Sequence, residues 1–227
     1  MSESKNPIIV ELYGLPGCGK TTLRDNLTKE SSGLSYVMMT ELTQQYRKLP
    51  LHKKIQYIPW SSWRAVLRFL MIMPKLSLKD WRFYKTFFAF TLMYNFTKYA
   101  KRECYIVNDH GLLQALVSLM YGHSDGLTEK QCKHFFKILC MMPNCLFVYC
   151  HLSSEMSFRR IRGRNRNVGR LDLIKDDALL LDSLRSQEKL FDTLHRLMNA
   201  CDGIYSFLIN SETNQDECTE QLKHILS

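Results

Sequence analysis

Ile8-Ile9-Val10-Glu11-Leu12-Tyr13-Gly14-Leu15-Pro16-Gly17-Cys18-Gly19-Lys20-Thr21-Thr22 decides the fold. A six-residue, mostly apolar run reads as a buried strand, and the pattern G-x-x-x-x-G-K-T follows it without a gap. Glycines at 14, 17 and 19 permit positive φ, so the loop turns backbone N–H groups inward around an anion at the positive end of a helix beginning near Lys20. In such a cradle Lys20 reaches the β- and γ-phosphates of a nucleotide and the Thr21 hydroxyl ligates Mg2+. Gly14, Pro16, Gly17, Cys18, Gly19, Lys20, Thr21 and Thr22 are therefore the expected nucleotide-binding residues. A ligand-free Gly-rich turn shares the local pattern; the order strand, loop, helix argues for the cradle.

Beyond the loop the chain alternates strands and helices. Thr22 to Glu30 reads as helix, Leu34 to Met39 as a second strand, and Cys104 to Asn108 as a third that ends at Asp109. Cys145 to Cys150 and Ile204 to Ile209 read as the fourth and fifth. Helices are expected over Leu112 to Met120, from a Thr128/Gln131 capping box to Cys140, from Ser154, over Asp176 to Asn199 and over Asp216 to Leu226. Five apolar strands alternating with helices predict a three-layer α/β domain on a parallel sheet. One domain spanning 1–227 accommodates this length.

The net charge of +9 is concentrated. Residues 47–102, expected to be a helical insert broken at Pro50, Pro59 and Pro74, hold thirteen Lys and Arg against the single acid Asp80, interleaved with aromatics such as Tyr57, Trp60, Trp63, Trp81 and Phe96. That composition suits an anionic substrate, a membrane surface or a nucleic acid; it equally suits a helical pair whose aromatics are core and whose cations are solvated. The eight Cys form no C-x-x-C pair, and Met1 to Asn6 lack an apolar leader, so reduced thiols and a cytoplasmic location are expected. The apolar runs at 66–73 and 87–96 fall short of the ~20 residues of a bilayer span.

Two further groups face the cradle. Asp109 ends a strand at the carboxyl edge of the sheet, where a carboxylate holds Mg2+ directly or through water, although an N-cap would also use Asp there. Arg159, Arg160, Arg162, Arg164, Arg166 and Arg170 crowd one segment, 159–172. Guanidiniums stay charged and grip phosphate oxygens bidentately, and Arg160 and Arg164 share a helix face, so the segment reads as an anion clamp or lid; a nucleic-acid patch or plain surface charge is the alternative. Cys18 at a helix N-terminus invites oxidation.

These residues carry a resemblance to the thymidylate kinase-like branch of P-loop nucleoside and nucleotide kinases. That branch shows P-D-x-x-x-Y-L-D-x-x-P-E-x-x-x-x-R-x-x-x-R and then D-R-x-E. This chain has Pro143-Asn144, Tyr149-Cys150-His151, Ser154-Glu155, Arg160 with Arg164, and Gly169-Arg170-Leu171-Asp172. The ending Phe207-Leu208-Ile209-Asn210-Ser211 is similar to the branch's base-proximal loop. The resemblance implies a P-loop NTPase fold with a five-stranded parallel sheet, Mg-ATP as donor, and a mobile arginine lid. Asp109-His110-Gly111 stands where these kinases carry D-R, so an acceptor-steadying arginine is missing. Asp109 to Gln114 also resembles a D-x-G-x-x-Q signature of other P-loop proteins, which argues against assuming thymidylate as substrate.

The expectation is thus an ATP-dependent phosphotransferase with Lys20, Asp109, Arg160 and Arg164 catalytic, Thr21 and Asp109 on the metal, and Glu41 a candidate base near the acceptor. The partners are a nucleotide and a small anionic acceptor, and a homodimer is compatible with the sequence. The alternatives are an ATPase or switch whose 47–102 insert binds membrane or nucleic acid, and a non-catalytic nucleotide-binding module.

Overall fold

The computed structural model describes residues 7–29, 35–57, 96–97, 104–122, 128–140, 144–164 and 171–226. In chain order these form β1 (Ile8–Tyr13), α1 (Lys20–Lys29), β2 (Tyr36–Met38), α2 (Met39–Lys48), α3 (Leu51–Gln56), β3 (Tyr105–Asn108), α4 (Leu112–Gly122) and α5 (Glu129–Leu139). There follow β4 (Cys145–His151), α6 (Ser154–Arg162), a 3-10 turn (Leu171–Leu173), α7 (Asp177–Asn199), β5 (Tyr205–Asn210) and α8 (Gln215–Leu226).

The five strands make one sheet in the order β2-β3-β1-β4-β5, and every pairing is parallel. The chain builds out from β1 on one side and then crosses to β4 on the other, so the carboxyl end of β1 lies where the strand order reverses. That crevice is where open α/β sheets bind ligands. Alternation along β1 divides the core. Ile9 and Tyr13 join Leu112, Leu116, Phe135, Phe136 and Phe191 on the α4, α5 and α7 side, while Val10 and Leu12 join Leu23, Leu27, Leu222 and Leu226 on the α1 and α8 side. Tyr13 and Tyr149, paired across β1 and β4, stack at 5.2 Å between ring centroids. Burial raises the Tyr13 hydroxyl and lowers His195, leaving a neutral hydrogen-bonded group of Tyr13 Oη, His195 Nδ1 and Ser206 Oγ beneath the sheet.

Local signals account for most boundaries. Gln131 N donates to Thr128 Oγ1 at 3.3 Å and Thr128 N donates to Gln131 Oε1 at 2.7 Å, the reciprocal box expected ahead of α5. Asp176 accepts from the amides of Ala178 and Leu179 and caps α7. Pro50 separates α2 from α3. The second strand is shorter than expected: it ends at Met38, and Met39 turns into α2 because its side chain is buried in the core on that path. Glu41 consequently sits in the first turn of a helix rather than just past a strand end.

Much of the insert, including Pro59, Pro74, the tryptophans and the helix expected from Leu78 to Arg102, lies outside the described residues apart from Phe96 and Thr97. Phe96 packs on Tyr46 and Tyr57, with centroids 5.5 and 5.0 Å apart, and lies half-buried against the core. Among the described residues no helix is long and apolar enough to cross a membrane, and no disulfide is formed.

One buried charge governs how α4 meets the sheet. Glu11, in the centre of β1 and 0% exposed, directs its carboxylate across the sheet, where Oε1 accepts from Leu113 N at 2.7 Å in the first turn of α4. A carboxylate at a helix N-terminus is stabilised by the orphan amides and the helix dipole. The carboxylate passes so near Gly111 that any Cβ there would overlap all three of its atoms. Glycine at 111 is therefore a close-approach requirement, and it fixes the path of the chain directly after Asp109. Gly111→Ala is expected to cost about 1–3 kcal/mol in urea denaturation, and Glu11→Ala a similar amount through the unpaired Leu113 amide. In the double variant the new methyl occupies the space the carboxylate vacates, so its loss falls short of the sum; strict additivity would contradict the arrangement.

Candidate functional site

The loop after β1 has the backbone the glycines were expected to permit: φ is 144, 88 and 87 degrees at Gly14, Gly17 and Gly19. It delivers the chain into α1 at Lys20, so the first-turn amides of α1, which have no intrahelical acceptor, point back toward the loop. Lys20 is buried, and its Nζ donates to the carbonyls of Gly14 and Leu15 at 2.9 Å each and lies 3.2 Å from Cys18 Sγ. The ammonium thus lines the inner wall of the loop. Burial alone would raise the Cys18 thiol, but a hydrogen bond with Cys150 and the charge of Lys20 carry it below its ordinary range. Cys18 is also 0% exposed, and this burial shields the thiol whose position at a helix start suggested easy oxidation.

Thr21 and Asp109 meet. Thr21 Oγ1 donates to Asp109 Oδ2 at 2.8 Å, joining the start of α1 to the end of β3. Asp109 is 6% exposed. One hydroxyl and one carboxylate oxygen side by side at a phosphate-facing edge form a hard-oxygen donor pair, which suits Mg2+, an ion bound through one or two carboxylates plus phosphate and water rather than by a protein cage. Among the described residues no group of three His, Cys, Asp or Glu is placed to hold a metal ion. The other carboxylate oxygen, Oδ1, accepts from Arg24 Nη1 at 2.9 Å.

The arginine helix packs directly over the loop. From α6, Ser157 Oγ donates to Pro16 O at 2.6 Å, and Arg160 donates through Nη1 to Gly17 O at 3.1 Å and through Nη2 to Ser211 O at 2.9 Å. Arg164 Nε donates to Arg160 O at 3.3 Å, and its Nη2 stands 2.9 Å from where a Cβ on Gly17 would be. Arg160 is therefore a strut between the loop and the β5–α8 turn, whereas Arg164 lays its guanidinium over Gly17 with most donors uncommitted to backbone. Arg162 faces away, paired with Asp177 at 2.6 Å. Arg166 and Arg170, with the rest of 165–170, lie outside the described residues.

Four of the five expected catalytic residues, Lys20, Asp109, Arg160 and Arg164, come together around residues 14–21 with Thr21. Glu41 does not join them: it is exposed on α2, which packs on β2 and β3, two strands from β1 in the sheet. Thr22 is exposed in the first turn of α1.

Sequence reasoning missed four groups. Arg24 lies one turn beyond Lys20 and three residues past Thr21, so the helical spacing applied to Arg160 and Arg164 would have found it. Glu11 looked like a polar interruption of a strand, and only the fold supplies its partner. Ser211 Oγ and Gln215 Oε1, both buried and without a hydrogen-bond partner among the described residues, flank the loop where the Gln215 amide closes on Gly19 and Arg160 holds the Ser211 carbonyl. Nothing in their spacing marks them.

No protein-family model matches the sequence, and no curated protein matches it. Solved structures do. Deoxyadenosine kinase from M. mycoides with bound dATP superposes with a TM-score of 0.51 at 15% identity, over 96% of this chain and 99% of that one. The same enzyme with the products dCMP and a flexible dCDP gives 0.50 at 16% identity, over 96% and 98%. At that identity the likeness shows a shared fold: the five-stranded parallel sheet and flanking helices of P-loop kinases.

Removing the strut tests this geometry without a ligand. Charge-assisted hydrogen bonds of this kind contribute about 1.5–3 kcal/mol each. Arg160→Ala is expected to raise amide exchange by tenfold or more in both 14–19 and 210–215 while α5 and α7 keep their protection. Loosening of one segment alone would show that the two are not braced together.

Proposed function

We propose that the chain is a P-loop kinase, close in kind to the thymidylate kinase-like branch, that moves the γ-phosphoryl group of Mg-ATP to a small acceptor: a nucleoside, a nucleotide or another phosphorylated metabolite. The observation that supports this most is the convergence of Lys20, the Thr21–Asp109 pair, Arg160 and Arg164 on one glycine-bent loop at the point where the strand order reverses.

Phosphoryl transfer proceeds through a loose transition state with charge spread over the transferring oxygens, so position and positive charge carry most of the catalysis. The loop amides and the start of α1 bind the phosphates. Lys20 exchanges the carbonyls of Gly14 and Leu15 for β- and γ-oxygens, a charged acceptor replacing two neutral ones. Thr21 and Asp109 would hold Mg2+, which would supply positive charge to offset that of the phosphates. Arg164, just past the end of α6, covers the loop and stabilises the transferring group; Arg160 keeps α6 and the β5–α8 turn registered on the loop. The unpartnered Ser211 Oγ and Gln215 Oε1 face the donor end, where a bound nucleotide supplies hydrogen-bond partners. Glu41, at the same carboxyl edge of the sheet, is the acceptor-side carboxylate that Glu41→Gln would test. The acceptor itself is expected between the 47–102 insert and the Asp109 to Gln114 segment.

The test is incubation with γ-labelled ATP and a panel of nucleosides, nucleoside monophosphates and phosphorylated sugars, with products identified by mass. ADP is expected only in step with a labelled acceptor. Lys20→Ala is expected to lower transfer by about 10²–10³-fold or more with its circular dichroism unchanged. ATP hydrolysis without an acceptor, stimulated by liposomes or polynucleotide, would replace the kinase reading with a switch, and tight binding without hydrolysis or transfer would leave a binding module.

A further inference from the structure

Asp109 presents two oxygens, and the structure spends them differently. Oδ2 faces the Thr21 hydroxyl at 2.8 Å; Oδ1 is taken by Arg24 Nη1 at 2.9 Å. Arg24 is itself held from its other side, where Nε and Nη2 donate to Asp25 Oδ1 at 2.9 and 2.7 Å. Its guanidinium therefore lies between two carboxylates on a rigid helix, with side-chain exposures of 17% for Arg24 and 8% for Asp109. Lys20, Thr21, Arg24 and Asp25 occupy successive turns of α1, so a single helix sets the loop, the hydroxyl and the clamp in one register.

We infer that Arg24 is a positioning residue that sets which divalent cation the site accepts: by occupying Oδ1 it denies a bidentate grip on Asp109 and leaves only Oδ2, beside Thr21, for the ion. The inference rests on reading residues 14–21 with Asp109 as a metal–nucleotide site. Its basis is the coordination preference of the two abundant hard cations. Ca2+ takes six to eight oxygens and readily accepts both oxygens of one carboxylate, whereas Mg2+ demands near-octahedral geometry, keeps several waters and is satisfied by a single carboxylate oxygen. A guanidinium fixed on Oδ1 disfavours the first mode and leaves the second intact. Its positive charge weakens both ions alike, so the ratio between them, rather than either affinity, reports the clamp.

The test measures the affinity of a non-hydrolysable ATP analogue by titration calorimetry with Mg2+, with Ca2+ and with chelator alone. Wild-type protein is expected to prefer the Mg2+ complex. Arg24→Gln is expected to cut the Mg2+ over Ca2+ preference about tenfold, mainly by tightening the Ca2+ complex, and Arg24→Lys, which keeps a charged donor for Oδ1, to hold the preference within about twofold of wild type. Equal shifts for both ions in R24Q would reduce Arg24 to a general charge and overturn the inference, as would R24K behaving like R24Q. Failure of the wild-type protein to bind the analogue under any condition would overturn the site reading beneath it. Binding that is metal-dependent but indifferent to residue 24 would overturn the inference alone.

Discussion

The hydrogen bond from the Thr21 hydroxyl to Asp109 Oδ2 joins the first turn of α1 to the chain just past β3, two segments 88 residues apart. Parallel pairing makes that meeting unavoidable: β1 and β3 run side by side, Glu11 opposite Asn108, so the chain leaves both strands at the same edge. The glycine-bent loop supplies N–H groups there and the strand end supplies a carboxylate. Topology alone therefore sets backbone amides beside a hydroxyl–carboxylate oxygen pair at the crevice where the strand order reverses.

Around that link, charge is handled by pairing rather than exposure. Glu11, fully buried, is offset by the amides at the start of α4; Asp109 by Thr21 and Arg24; the Lys20 ammonium by two carbonyls and a sulfur. An uncompensated charge at any of these depths would be strongly destabilising. Pairing preserves these charges side by side around the glycine-bent loop. Ser157 and Arg160 then brace α6 on the loop, through the carbonyls of Pro16 and Gly17.

What the sequence showed and what it hid divide along contact range. The β1–loop–α1 unit, the Thr128/Gln131 box and the nearness of Arg160 to Arg164 are written in neighbouring residues, and each appears in the fold. Glu11 stabilises an amide 102 positions away and Arg24 an acid 85 positions away; such partners exist only once strands are ordered, so both residues looked incidental. The early end of β2 has the same origin, because burial of Met39, not its propensity, starts α2. Glu41 was read from its spacing to a strand end, and the strand stops one residue before the expected Met39, which puts Glu41 in the first turn of α2.

If Thr21 and Asp109 serve one metal ion shared with the nucleotide phosphates, the factor by which Mg2+ tightens binding of a non-hydrolysable ATP analogue should respond to Thr21→Val, Asp109→Asn and the double variant alike. Each single change is expected to remove most of that factor, with the double variant scarcely worse than either. Additive losses, or nucleotide binding that never depended on Mg2+, would contradict a shared ion.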